Sequence, residues 1–170
     1  MNRALPLIAL AAVLVSCDSE GTVVPNVEGT YTLNLKVTKL DCAMLPDAAL
    51  GDESTGVTVV LTQDPSNREQ VTATVQGLAG VLLTLGLGGS TFVGTVDRNA
   101  LDLVLEGNAK LSADACAYSQ VARLRGTLEG DFLSGTIAYS YATNHASDCG
   151  IKETCSDEQT VTGSRPATTP

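Results

Sequence analysis

An alternation of apolar and polar residues with a period of two, repeated along most of the chain, limits what it can fold into. In Gly29–Leu40, Tyr31, Leu33, Leu35 and Val37 alternate with Thr32, Asn34, Lys36 and Thr38. Successive side chains of a strand point to opposite faces, so this pattern buries one face and wets the other. Val57, Val59 and Leu61 repeat it, as do Val71, Ala73 and Val75, and Leu101, Leu103 and Leu105. Ala122, Leu124, Gly126 and Leu128 alternate with Arg123, Arg125, Thr127 and Glu129, and Leu133, Gly135, Ile137 and Tyr139 follow the Gly130-Asp131 turn. Thr91–Val96 and Glu158–Ser164 are weaker, each with a central glycine. The alternation predicts strands at 29–40, 57–63, 70–77, 90–96, 100–111, 120–129, 132–141 and 158–164. No segment beyond the N-terminal run has a helical period, so the predicted class is all-β and antiparallel.

The N-terminus is of a different kind. Arg3 supplies a positive charge, and Leu5–Val15 is apolar except for Pro6. Such a run is too short for a spanning helix, which needs ~20 residues, but it suits an export signal. It ends in Leu14-Val15-Ser16-Cys17, which resembles the lipobox of bacterial lipoproteins. The resemblance implies a diacylglycerol on the Cys17 sulfur, cleavage after Ser16 and an acylated new N-terminus, with palmitate-type chains holding the protein to membrane lipid. An ordinary secretory signal that happens to contain a cysteine is the alternative. The expected organisation is a signal peptide at 1–16, a lipidated tether at 17–28, a β domain at 29–165 and a tail at 166–170. The expected location is the cell envelope, lipid-anchored and facing the periplasm or the exterior.

With Cys17 set aside, Cys42, Cys116, Cys149 and Cys155 remain, an even number that predicts two disulfides in an exported chain. In an up-and-down meander the short links 64–69, 97–99 and 130–131 fall at one end. The long connections 41–56, 78–89, 112–119 and 142–157 fall at the other, and all four cysteines lie in or beside them. Three connectivities are open; the favoured one joins Cys149 to Cys155 and Cys42 to Cys116. An even number of strands lets the first pair with the last, closing an eight-stranded up-and-down barrel without free edges. Inward glycines at 94, 107, 126, 135 and 163 suit a sheet that must coil; a β-sandwich is the alternative. Gly29-Thr30-Tyr31 at the start of the first strand and Arg165 at the end of the last resemble the calycins, the lipocalin and avidin group. There a Gly-x-Trp opens the first strand and an Arg from the last stacks on its aromatic ring. The resemblance implies that Arg165 stacks on Tyr31, which stands where Trp would be. Aromatic residues make up 4% of the chain and the outward positions carry Thr, Lys, Arg, Asp and Glu, so this is not the girdled surface of a membrane-spanning barrel.

Removing residues 1–16 takes away only Arg3, leaving nine basic against 19 acidic residues and a net charge near −10. That balance repels phosphate backbones and excludes nucleic acid as a partner. No Gly-x-Ser-x-Gly elbow is present, and a single histidine, His145, leaves no two-histidine metal site. The chain is therefore read as a non-enzyme without cofactor. His145, Asp148, Cys149 and Cys155 lie close in sequence but lack zinc-ligand spacing. Asp41, Asp47, Asp52 and Glu53 match no EF-hand pattern. One connection is unusually apolar: Leu78, Val81, Leu82, Leu83, Leu85 and Leu87 form either an additional strand or hairpin or an apolar lip over a barrel mouth. The leading expectation is an envelope binding module for a small apolar ligand. The alternative is a protein-binding lipoprotein, such as an inhibitor of an envelope lysozyme or protease, whose acidic loops would steer towards a basic partner.

Overall fold

The computed structural model describes residues 24–42, 44–45, 47–108 and 110–167. The signal peptide, the lipobox with Cys17, the first part of the tether and the end of the tail lie outside these residues.

The chain folds into a closed antiparallel barrel of eight strands. The strands in chain order are β1 (Gly29–Leu40), β2 (Glu53–Gln63), β3 (Gln70–Val75), β4 (Thr91–Asp97), β5 (Ala100–Glu106), β7 (Cys116–Glu129), β8 (Phe132–Thr143) and β9 (Asp157–Ser164). A short strand, β6 (Leu111–Ala113), folds back on β7 above the barrel wall and takes no part in closure. Each strand pairs with its sequence neighbour, β5 pairs with β7, and β9 closes the wall against β1. The inward parity is the one the alternation predicts: Tyr31, Leu33, Leu61, Val71, Leu103, Leu124, Leu133 and Val161 are buried, while Lys36, Arg123 and Glu129 face out.

The glycines let the wall curve tightly. A Cβ on Gly135 would land on the Arg125 carbonyl and lie 2.6 Å from the Gly126 Cα across the β7–β8 pair. Only a residue without a side chain permits that approach. On the outer surface Arg123 grips Asp102 with both nitrogens, at 2.6 and 2.5 Å. This hydrogen bond, opposed by partial burial, holds the Asp102 carboxyl below the usual carboxylate range.

Several predicted boundaries move: β2 starts at Glu53 rather than 57 and β7 at Cys116 rather than 120, and two strands end early for physical reasons. The strand expected to run from 100 to 111 stops at Glu106. At Gly107 the backbone passes so close to Gln120 and Leu87 that a Cβ would lie 2.8 Å from the Gln120 carbonyl oxygen. The strand expected through residue 77 ends at Val75, and α1 (Gly77–Leu87) follows. This helix was not predicted. It is apolar nearly all round, so it shows no stripe of period 3.6 that would identify it. Its C-terminus is closed by Gly88 in the left-handed region (φ 80°), whose N–H donates to the Thr84 carbonyl at 2.9 Å. The connection between β8 and β9 carries a second unpredicted element, a 3-10 segment at Ser147–Glu153. Among the described residues no helix is long and apolar enough to cross a membrane.

Candidate functional site

The two ends of the barrel differ. At the end with short links, Val24–Glu28 crosses the base and Val27 is buried beneath the barrel. Gln63 holds it there: its Oε1 accepts from the Val27 N–H at 2.9 Å, and its Nε2 donates to the carbonyls of Pro25 and Arg68. Arg165 completes the closure. It donates to Asp131 (Nε to Oδ1, 2.7 Å) and to the carbonyls of Asn26 (3.0 Å) and Glu28. Its guanidinium lies 5.7 Å from the centre of the Tyr31 ring. Tyr31 in turn donates to the Val27 carbonyl at 3.1 Å, and burial pushes its phenol up despite the nearby guanidinium.

The other end holds a cavity of about 800 Å³. Its wall is apolar: Leu33 and Leu35 of β1, Val57 and Val59 of β2, Phe92 of β4 and Ile137 of β8. Over it lie α1, through Ala79, Leu83 and Leu87, and the 41–52 connection, through Met44 and Leu45. Three polar side chains interrupt the wall on one side, Gln120, Tyr139 and Gln159, with Ser54 and Asp47 also in the lining. The Tyr139 hydroxyl donates to Gln159 Oε1 at 2.9 Å. Burial pushes this phenol up to about 12, so it remains a neutral donor at physiological pH.

Of the residues singled out in sequence for the mouth, Leu82, Leu83, Leu85 and Leu87 line the cavity. Leu78 and Val81 do not. A strand or hairpin would have kept alternate residues together, whereas the helix turns Leu83 and Leu87 inward and sets Leu78, Val81, Leu82 and Leu85 on one outer face, 74, 54, 59 and 79% exposed, so that Leu82 and Leu85 reach only the rim of the cavity. Gln120, Tyr139 and Gln159 were not singled out. Their signal was present in the parity, since Gln120 shares the inward face of Ala122 and Leu124, and Gln159 that of Val161.

The mouth is pinned by covalent and ionic contacts. The disulfides are Cys42–Cys155 and Cys116–Cys149, not the favoured Cys149–Cys155 and Cys42–Cys116. Strand register decides the pairing. Leu40 lies opposite Asp157, so the residues just beyond them meet, and the paired ends of β7 and β8 bring Cys116 to the 3-10 segment. Closeness in sequence was misleading because Cys149 is buried within the 3-10 segment Ser147–Glu153, while Cys155 lies beyond its end, beside β9. Beside the first bridge Asp157 is completely buried. Its Oδ1 accepts from the backbone N–H of Asp41 (2.6 Å) and Cys42 (2.7 Å), and its Oδ2 from Met44 (2.6 Å) and Leu45 (3.2 Å). Burial alone would raise the pKa of this carboxyl, but the four N–H groups outweigh it and the net direction is down.

The other candidate clusters have structural partners. His145 Nδ1 lies 2.8 Å from Glu153, Asp148 accepts from the Ala115 N–H at 2.6 Å, and Cys149 and Cys155 belong to different disulfides. Asp52 accepts from the Ala49 N–H, Glu53 pairs with Lys36 and Asp41 with Lys39. Among the described residues no three acidic, histidine or cysteine side chains are grouped to hold a metal ion. In comparisons with known proteins, no family model, no curated protein and no solved structure matches the chain.

Proposed function

We propose that this protein is a non-catalytic binding module that carries a small apolar ligand in the open end of its barrel. The observation that carries the reading is the cavity itself. A volume of about 800 Å³ lies within the ordinary range of ligand pockets, and most of its lining is aliphatic. Apolar surface exposed to water in a cavity of this size is released by an apolar occupant at ~25 cal/mol per Å². The Arg165–Tyr31 stack at the closed end supports a calycin-like carrier. In the same reading Cys17 bears the lipid anchor, and the protein works at an envelope membrane surface. A fluorescence titration with N-phenyl-1-naphthylamine, an uncharged aromatic probe, is expected to saturate near one probe per chain. Failure to bind it, together with no extractable compound in protein purified from its own membrane, refutes ligand carriage. Palmitate-analogue labelling that persists in Cys17→Ser refutes the anchor.

A second reading is favoured by one observation. Leu78, Val81, Leu82 and Leu85 form an exposed apolar face on α1, with Leu78 and Leu85 more than 70% exposed. Exposed aliphatic patches mark interaction surfaces, and an envelope protein docked there, for example a lysozyme or protease held by an inhibitor, would cover them. A pull-down against envelope extract that recovers the same partner with Leu78→Ser/Leu85→Ser as with the unaltered chain excludes this face.

A further inference from the structure

We propose that the occupant of the cavity is an uncharged amphiphile, an aliphatic chain ending in a hydroxyl, amide or ester, and not a fatty carboxylate. The inference rests on the carrier reading above and narrows its ligand class.

The polar side of the cavity is the discriminating feature. Gln120, Tyr139 and Gln159 are brought together by adjacent strands β7, β8 and β9. Tyr139 spends its proton on Gln159 Oε1, which leaves the Gln159 amide N–H₂ as a donor and the phenol oxygen as an acceptor. No side-chain hydrogen bond joins Gln120 to the described residues, and its half-buried amide, accessible at the cavity lining, offers both a donor and an acceptor there. Such a set satisfies a neutral group that both gives and accepts hydrogen bonds. Nothing here balances a negative charge, because the lining among the described residues contains no Lys, Arg or His, and its one charged group, Asp47, is negative.

Of the basic side chains of this end, Lys110 is exposed in the β5–β6 connection and does not line the cavity, and the others are held elsewhere. Lys39 is paired with Asp41 and Glu158, Lys36 with Glu53, and Lys152 lies over the Tyr118 ring with Nζ 5.0 Å from its centre. A carboxylate entering the cavity would lose its hydration with no cation to replace it, in a protein whose net charge already repels anions. An alcohol or amide of the same chain length buries the same apolar area and meets partners for its head. A cationic amphiphile fares better than an anion at the rim, but it too must leave water for neutral amides.

The test is a displacement series on the full chain at about pH 8, where a fatty acid is ionised and an alkylamine protonated. Bound N-phenyl-1-naphthylamine is displaced with dodecan-1-ol, dodecanamide, dodecanoate and dodecylammonium. The expected result is that the alcohol and amide displace the probe at concentrations at least ~10-fold lower than either ion, the factor for leaving a buried charge unmatched. In Gln120→Leu the probe affinity is titrated afresh, and the alcohol affinity calculated from displacement against that value should fall several-fold. Lys152→Ala should change nothing. Equal displacement by dodecanoate, or tighter displacement by either ion, overturns the inference while leaving the carrier reading intact. Absence of probe binding, together with no extractable compound in protein purified from its own membrane, overturns both, and an extracted fatty carboxylate overturns this inference alone. Alcohol affinity unchanged in Gln120→Leu removes this amide from the head-group site and overturns the assignment.

Discussion

Asp157 is the most stringent single point in the mouth, and Asp157→Asn tests it with almost no change in shape. The carboxylate accepts four backbone N–H groups, two per oxygen. An asparagine keeps one oxygen and its two bonds, but its N–H₂ must face the other two N–H donors and can accept nothing from them. Hydrogen bonds to a charged group contribute ~1.5–3 kcal/mol each, so losing two destabilises by about 3–6 kcal/mol if the orphaned groups stay dry. Met44 and Leu45 are only half-buried, so water will reach them and the lower end applies, about 3 kcal/mol. The assay is equilibrium urea unfolding at constant ionic strength, with the disulfides intact.

The pH dependence has a definite sign. The folded carboxyl titrates below its ordinary 3.8. Its contribution is therefore fully present above that value and is lost as pH falls through the folded pKa. The stability gap between the unaltered chain and Asp157→Asn should be widest near neutrality and shrink below about pH 4. A loss under about 1 kcal/mol at neutral pH, or a gap that does not shrink in acid, refutes the four-donor account of this carboxylate.

The disulfides differ in loop length, with sequence separations of 113 for Cys42–Cys155 and 33 for Cys116–Cys149. The chain-entropy model puts the double-serine losses at about 4–5 and 3–4 kcal/mol respectively, to be read from urea midpoints; a larger loss from the shorter loop contradicts it. Gly135→Ala should destabilise by several kcal/mol, because its methyl meets backbone on β7 that cannot move away without opening the wall; a thermal melt unchanged within about 1 °C is the contrary result. Gly86→Ala lies in α1 with open space where the Cβ goes, so it should stabilise the helix by ~0.5–1 kcal/mol. If α1 must shift to admit ligand, stopped-flow release of N-phenyl-1-naphthylamine slows several-fold in that variant; unchanged release places the entry route elsewhere.

The wall of this barrel was legible because a strand writes its burial into adjacent residues. Tyr31, Leu33 and Leu35 announce their face without reference to the rest of the chain. Closure and the convergence of the four cysteines at one end followed from counting strands and connections. The apolar character of 78–87 was plain in sequence, but its helical form was not, since an all-round apolar helix has no period to read. The polar side of the cavity was partly legible: Gln120 and Gln159 stand at inward positions, but their meeting with Tyr139 depends on which strands are neighbours.

By itself, then, the sequence determined the strands and their faces, because each is a property of residues near one another in the chain. The tertiary structure alone decided the disulfide pairing, the four-donor seat of Asp157, and a barrel interior that is packed at one end and opens into a cavity at the other. Each of these depends on register between strands far apart in sequence, where a shift of one residue turns every side chain to the opposite face. Cys42 finds Cys155 for that reason, and Gln159 meets Tyr139 within the barrel.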